Sequence, residues 1–251
     1  LLYNLRWMLP HRILPLLVDL QGPVAQASNH ASFLYNLAKN MLRSAGEAAG
    51  NLGAVRRTDF ADDPFTLFDD WLDQLESAVL AQGHTTILLA LDEFEALDAA
   101  FANQQLRADA ILGTLPHIIQ HRPRFKLLLA GSHTLEEFQR WSSYLINAQT
   151  IHLSYLREDE SRQLIERPIQ DFPLAYAPDA TQHVLALTRG HPYLVQLLCS
   201  EVVNLKNEQP IDQRGRVTVA DVEAAVPVML DRGSQFFADI ERHQVDAHGV
   251  A

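Results

Sequence analysis

The sequence predicts an α/β fold in which a small parallel sheet is followed by a helical C-terminal part. Short apolar runs with strand character each precede a stretch of helical periodicity, at residues 13–20, 85–91 and 125–130, with a weaker run at 149–153. Near-continuous apolar runs are typical of strands that helices cover on both faces of a parallel sheet. From about residue 155 onward only helical patterns follow, so we expect the helices to form a separate part of the fold.

We therefore divide the chain into an α/β core over residues 1–154, a helical subdomain over 155–230 and a further helical or winged-helix region over 231–251. The core helices are predicted from spacing. Apolar residues on one helical face follow residue 30, and Asp63 before Pro64 marks the start of the next helix. The stretch 46–62 between them is predicted to be a surface loop. In the C-terminal part we expect helices over residues 157–167, 177–188, 192–205, 219–230 and 234–242.

Composition excludes several classes of protein. The 251 residues are 47% hydrophobic, which is enough for a sizeable core and too much for a disordered segment. The single cysteine excludes an internal disulfide framework and a Cys-based zinc cluster. No apolar run reaches the length of a membrane span, so we expect a cytoplasmic protein with no membrane partner. The net charge of −11 argues against nucleic acid as a partner of this chain by itself.

The strongest chemical signal lies where the second apolar run ends, at Asp92 and Glu93. A buried parallel strand would deliver both carboxylates to its C-terminal end, which is where open α/β sheets bind ligands. One acid can hold Mg²⁺ while the other orients and polarises an attacking water. The alternative is that the pair only caps a helix over residues 94–100, and spacing alone does not decide between the two.

The third run ends in Gly131, Ser132 and His133 before another helical pattern begins at Thr134. Ser132 at such a strand tip can reach a phosphate or a catalytic water. Ser132 or Thr134 can equally serve as the helix N-cap, with Glu137 completing a capping box from Thr134. Both readings stay open. The only histidines at i, i+4 spacing, His117 and His121, lack the glutamate that follows the first histidine of a zinc-protease helix, so we predict no metal role for them.

Four segments resemble motifs of one family. ILLALDEFEALD is similar to a Walker B strand, and LLLAGSH is similar to a sensor-1 strand. IHLSYLREDESRQLIERP resembles the start of a helical lid, and LTRGHPYLVQLLC contains a Gly-x-Pro element. In this order and spacing, over about residues 1–240, they resemble the STAND branch of the AAA+-related P-loop NTPases.

The resemblance implies a parallel-sheet P-loop NTPase core with a C-terminal helical lid, using ATP and Mg²⁺. By that comparison Asp92 binds Mg²⁺, Glu93 activates water and Ser132 senses the γ-phosphate. Gly190 and Pro192, with His191 between them, belong to the turn that contacts the nucleotide base. The implied function is that of a signalling or regulatory ATPase, whose nucleotide state switches domain packing and whose partners are further copies of itself or another protein.

One departure from the family is evident, because no GxxxxGK[ST] phosphate-binding loop occurs in the sequence. The first residues resemble the helix that follows this loop, so we expect the loop to lie just upstream of Leu1. The chain by itself is then expected to be inactive, although its parent protein hydrolyses ATP. The alternatives are a naturally degenerate NTPase, a catalytically inactive interaction module on the same fold, and a DNA-associated ATPase.

Overall fold

The computed structural model describes residues 2–131, 141, 144 and 148–243, and it divides into two compact units, Leu1–Gln149 and Thr150–Ala251. The architecture is mixed α/β and mostly helical, with a small parallel sheet in the first unit. None of the described helices is both long and apolar enough to cross a membrane.

The sheet of the first unit consists, within the described residues, of β1 (Ile13–Asp19), β2 (Thr86–Asp92) and β3 (Phe125–Leu129). The strand order is β1-β2-β3, and both pairings are parallel. Our prediction of three adjacent parallel strands is therefore confirmed, with strand ends within one residue of the expected positions. Because the strands run the same way, their carboxyl ends lie along one edge of the sheet.

The helices of the first unit follow the strands as βα connections require. Short 3-10 helices cover Leu2–Asn4, Gly46–Ala49 and Arg57–Phe60. The α-helices whose full extent is described in this unit, named α1 to α6 in chain order, are Leu5–Met8, Gln21–Ala25, His30–Ala45, Pro64–Ala81, Ala96–Ala102 and Ala108–His121. Asp63 caps α4 as predicted, since its Oδ1 accepts a hydrogen bond from the Thr66 N–H at 3.3 Å.

The core of the first unit lies where α3 and α4 pack against the sheet. The apolar stripes that predicted these helices are buried, as are alternate residues of β1 and β2. Representative members are Phe33, Leu37, Met41, Phe68, Leu72, Leu75, Leu16, Val18, Ile87 and Leu89. Each large apolar side chain contributes roughly 1.5–3 kcal/mol to folding when fully buried. The packing of these side chains therefore stabilises the sheet that carries the strand ends.

The second unit contains the predicted helices and a small sheet that the sequence did not predict. Helices α7 to α12 are Glu158–Glu166, Pro178–Thr188, Pro192–Glu208, Ile211–Arg214, Val219–Arg232 and Ser234–His243. Strands β4 (Ala175–Tyr176) and β5 (Arg216–Val217) pair in parallel. Two-residue strands are too short to show a period of two, so sequence patterning could not reveal them.

Two predictions about connecting segments need correction. Residues 149–153 form no strand in the structure, and Ile151 and Leu153 are 71% and 76% exposed. The weak apolar run misled because a strand also needs a partner strand, and no described strand pairs with this segment. The predicted surface loop over residues 46–62 contains two 3-10 helices and buries Phe60, so it is only partly irregular.

Candidate functional site

Two carboxylates lie side by side at the carboxyl edge of the sheet. Asp19 and Asp92 are the last residues of β1 and β2, and they are direct register partners. The Leu20 N–H donates to the Asp92 carbonyl oxygen at 3.0 Å, which continues the ladder beyond the strand. The Asp19 Oδ1 accepts the Gln21 N–H at 2.8 Å at the start of α2. Strand pairing thus places Asp19 beside the predicted Mg²⁺ ligand Asp92.

Glu93 turns the chain out of β2 in a conformation that non-glycine residues rarely adopt. Its φ is 53°, in the left-handed region, and its N–H donates to the Asp92 Oδ1 at 3.2 Å. Such a conformation costs of order 1–3 kcal/mol and persists only where the surroundings hold it. The anchor is Phe94, which is buried and donates its N–H to the Ala130 carbonyl oxygen at 3.3 Å. The turn that carries Glu93 is therefore fixed to the end of β3.

The surroundings of Glu93 raise the pKa of its carboxyl group above the ordinary value. Burial is the largest cause, followed by repulsion from Glu95, a side-chain hydrogen bond with Glu95, and repulsion from Asp92 and Asp19. A carboxylate with a raised pKa holds an abstracted proton more readily, which is the property a general base for water needs near neutral pH. The charge pattern of this edge therefore suits acid–base chemistry at Glu93.

Gly131, at the tip of β3, makes a close contact with the segment that follows Glu93. The Ala130 N–H donates to the Leu91 carbonyl oxygen at 2.9 Å and brings the two strand ends together. A Cβ on Gly131 would lie 2.2 Å from the Glu95 Oε2 and 2.7 Å from the Phe94 Cε1. Only glycine fits there. The predicted phosphate sensor Ser132 and the capping residue Thr134 lie outside the described residues, so their roles stay predictions.

Gly131→Ala is expected to destabilise the protein by about 1–3 kcal/mol, because the new methyl group forces Phe94 and Glu95 to move. Gly113→Ala is the matched control: Gly113 lies within α6 with nothing within 4 Å of an added Cβ. We expect that control to stabilise by roughly 0.5–1 kcal/mol through its better helix propensity. Urea denaturation measures both changes, and equal effects at the two glycines would contradict the close contact at Gly131.

Trp141 also supports this edge of the sheet, and the sequence did not point to it. Its side chain is fully buried, and its indole N–H donates to the Asp98 carboxylate at 3.2 Å. Its ring meets Phe94 edge to face, with the ring centroids 5.0 Å apart. The signal in the sequence was weak, since a tryptophan with a carboxylate partner has no fixed spacing along the chain. Trp141 acts on the site by holding Phe94.

The predicted base-contacting turn is well defined within the second unit. Gly190 has φ 77°, and its carbonyl oxygen accepts the Leu156 N–H at 2.9 Å. A Cβ there would lie 2.4 Å from the Leu156 carbonyl oxygen, so only glycine fits. Pro192 occupies the first turn of α9, where its missing N–H costs nothing. The turn at 190–192 is thus held against the segment that begins this unit's helices.

His191, between the two turn residues, lies in a cluster of aromatic rings. Its ring centroid is 4.9 Å from that of Tyr155 and 5.2 Å from that of Phe236. The Nδ1 atom of His191 is buried, and no described group hydrogen-bonds to it. Aromatic faces are groups that can stack on a flat heteroaromatic ring. The sequence predicted the turn but not the rings around it.

The candidate metal ligands within the described part of the chain are the carboxylates at the strand ends. Among the described residues no group of three or more His, Cys, Asp or Glu side chains is arranged to hold a metal ion. Mg²⁺ does not need such a group, because it usually keeps several waters and binds one or two carboxylates together with substrate phosphates. Asp92, with Asp19 beside it, fits that mode of binding and does not fit an all-protein metal cage.

Comparison of the sequence and structure with family models, with curated proteins and with solved structures found no significant match.

Proposed function

We propose that this chain is the core of a STAND-type ATPase in which the carboxyl edge of the sheet hydrolyses ATP with Mg²⁺. The observation that carries the proposal is the acidic pair Asp92 and Glu93 at the end of the central strand, with Asp19 in direct register. In parallel α/β sheets this edge is where ligands bind. The resemblance to Walker B and sensor-1 strands adds to the same interpretation.

Each acid has a separate task in this proposal. Asp92 would hold the metal, directly or through a water, and Asp19 in direct register would add a second carboxylate beside it. A Mg²⁺ ion held there would supply charge neutralisation for the phosphates. Glu93 accepts the proton of the attacking water, and its raised pKa favours that transfer. The tight packing of Phe94 against the end of β3 keeps Glu93 in position while it acts.

The phosphate groups need donors that this edge does not supply. Backbone N–H groups and a lysine hold the β- and γ-phosphates in P-loop NTPases, and the chain contains no GxxxxGK[ST] sequence. The proposal therefore requires that such a loop be contributed by the same protein. Four acids near the strand ends, Asp19, Asp92, Glu93 and Glu95, would otherwise repel a triphosphate.

The nucleotide base is assigned to the turn at 190–192 in the second unit. Tyr155 and Phe236 supply rings beside His191, and Pro192 begins α9 directly after it. The family resemblance implies that the nucleotide state switches domain packing, as the loss of the γ-phosphate does in other nucleotide switches. We propose that this switch controls self-association or binding to a protein partner.

Asp92→Asn tests the metal assignment in a version of the protein extended at its N-terminus through a GK[ST] loop. Loss of one charged contact is expected to reduce affinity for ATP with Mg²⁺ by about 10- to 100-fold, and not to reduce affinity for ATP without Mg²⁺, because the variant removes a carboxylate that repels the phosphates. Asp70→Asn, at an exposed position of α4, is the control and should change neither value. Calorimetric titration measures both, and an unaltered Mg²⁺ effect in Asp92→Asn would contradict the assignment.

A further inference from the structure

The connection between α5 and α6, residues 103–107, is tied by side chains to the turn between α2 and α3. The Gln105 amide nitrogen donates to the carbonyl oxygens of Val24, at 3.2 Å, and of Ala27. The Arg107 N–H donates to the Nε2 of His30 at 2.9 Å. Two helices leave the candidate site: α2 begins at the end of β1, and α5 follows Glu93. These bonds join the chain just after α2 to the chain just after α5.

His30, the first residue of α3, lies in a partly enclosed position. Its ring packs against Phe65 of α4, with the ring centroids 5.5 Å apart. The charged groups that face it are Arg107 and Asp109, and these two form an ion pair with each other. Phe65 contributes no charge. The His30 ring therefore lies near the Arg107 guanidinium and the Asp109 carboxylate at the start of α6.

The bond from Arg107 dictates the state of the imidazole. A backbone N–H can only donate, so the Nε2 of His30 must accept and the neutral ring must carry its proton on Nδ1. A protonated imidazole donates from both nitrogens and cannot accept this bond. Protonation would place an Nε2–H donor of His30 opposite the Arg107 N–H donor. In the same connection Gln104 has a φ of 56°, in the left-handed region that non-glycine residues rarely adopt.

We propose that His30 is a pH-sensitive contact that holds residues 103–107 against the start of α3 when neutral and releases them when protonated. The released segment joins α5, which follows the acidic strand end, to α6. Acidification therefore loosens the connection between α5 and α6. This inference does not depend on the proposed ATPase activity, and its test needs no nucleotide.

The surroundings place the transition on the acid side of the ordinary histidine range. Burial, and then the Arg107 charge, lower the pKa of His30 from its usual 6.5, while Asp109 partly opposes them. Because the folded pKa is below the unfolded one, the unfolded chain binds the proton first. The stability that His30 contributes is therefore fully present above about pH 6.5, and it is lost as pH falls from there through the folded pKa.

NMR of residues 1–251 labelled with ¹⁵N tests the proposal directly. At pH 7.5 the His30 ring is expected to show an unprotonated Nε2 and a protonated Nδ1. As His30 titrates, the Arg107 amide should shift with it, and its hydrogen-exchange protection should fall about tenfold or more, as expected for loss of one hydrogen bond. In His30→Gln, whose amide oxygen accepts at any pH, the Arg107 amide should lose its pH dependence. His11→Gln, at an exposed histidine, should keep it.

Three results would overturn the proposal. The first is a neutral His30 with its proton on Nε2, which the wild-type spectrum alone reveals even if a variant does not fold. The second is an Arg107 amide whose protection is constant while His30 titrates. The third is an unchanged pH dependence of that amide in His30→Gln, which would assign the effect to another group.

Discussion

Glu93→Gln is expected to slow ATP turnover by about 10²–10⁴-fold in the N-terminally extended protein, while ATP affinity stays within a few-fold of wild type. The amide has the size and hydrogen-bonding reach of the acid, but it cannot take up the proton of the attacking water. Replacing the charge also removes its repulsion of Asp92, Asp19 and Glu95, the neighbours that raise the pKa of Glu93. The variant should therefore fold at least as stably as wild type and accumulate bound ATP.

The matched control is Glu47→Gln, because Glu47 is an exposed glutamate of the same unit in a 3-10 helix. It should turn over at the wild-type rate. Phosphate release measures turnover, and calorimetry measures binding, so a defect in one can be separated from a defect in the other. Wild-type turnover by Glu93→Gln would exclude Glu93 as the base. Equal losses of binding and turnover would instead indicate a structural role for this residue.

Residues 1–251 by themselves are expected to show no measurable ATP binding at micromolar protein, with or without Mg²⁺. A P-loop supplies a ring of N–H donors, a helix N-terminus and a lysine. Charge-assisted hydrogen bonds contribute about 1.5–3 kcal/mol each, so the lack of two or three weakens binding by roughly two to six orders of magnitude. Asp92 and Glu93 do not compensate, because carboxylates without that cradle repel the triphosphate.

The comparison requires that the shorter chain be folded, which its circular dichroism and cooperative unfolding establish. Addition of the GK[ST] loop should then restore micromolar affinity. Micromolar binding with one site per molecule in residues 1–251 would contradict the prediction. In that case other groups of the chain would hold the phosphates, and the proposed cooperation of Asp92 with a P-loop would be wrong.

The core of the fold was predictable because its signals are local and long. The runs that became β1, β2 and β3 are mostly apolar, as is typical of parallel strands that pack against helices, although Lys126 of β3 is exposed. The stripes of α3 and α4 repeat over several turns, and Asp63 with Pro64 marks a start that the structure reproduces. For these elements, residue propensity, the pattern of apolar residues and the packing in the structure all indicate the same helix or strand.

The candidate site was predictable only in part, because its remaining features depend on contacts between distant residues. That Asp92 and Glu93 end a strand follows from the sequence, and the register of Asp92 with Asp19 requires the sheet. The left-handed turn at Glu93 and the close approach of Gly131 to Glu95 have no local signature. The same holds for Trp141. Likewise, the strand expected at 149–153 failed because pairing is not a property of one segment.

The central claim is that the carboxyl edge of β1–β3 hydrolyses ATP, and Mg²⁺-dependent phosphate release by the N-terminally extended protein tests it most directly. We expect release that requires Mg²⁺, that falls by about 10²–10⁴-fold in Glu93→Gln and that is unchanged in Glu47→Gln. Absence of release from a folded protein that binds ATP would contradict the claim. Release that is equally fast in wild type and Glu93→Gln would also contradict it.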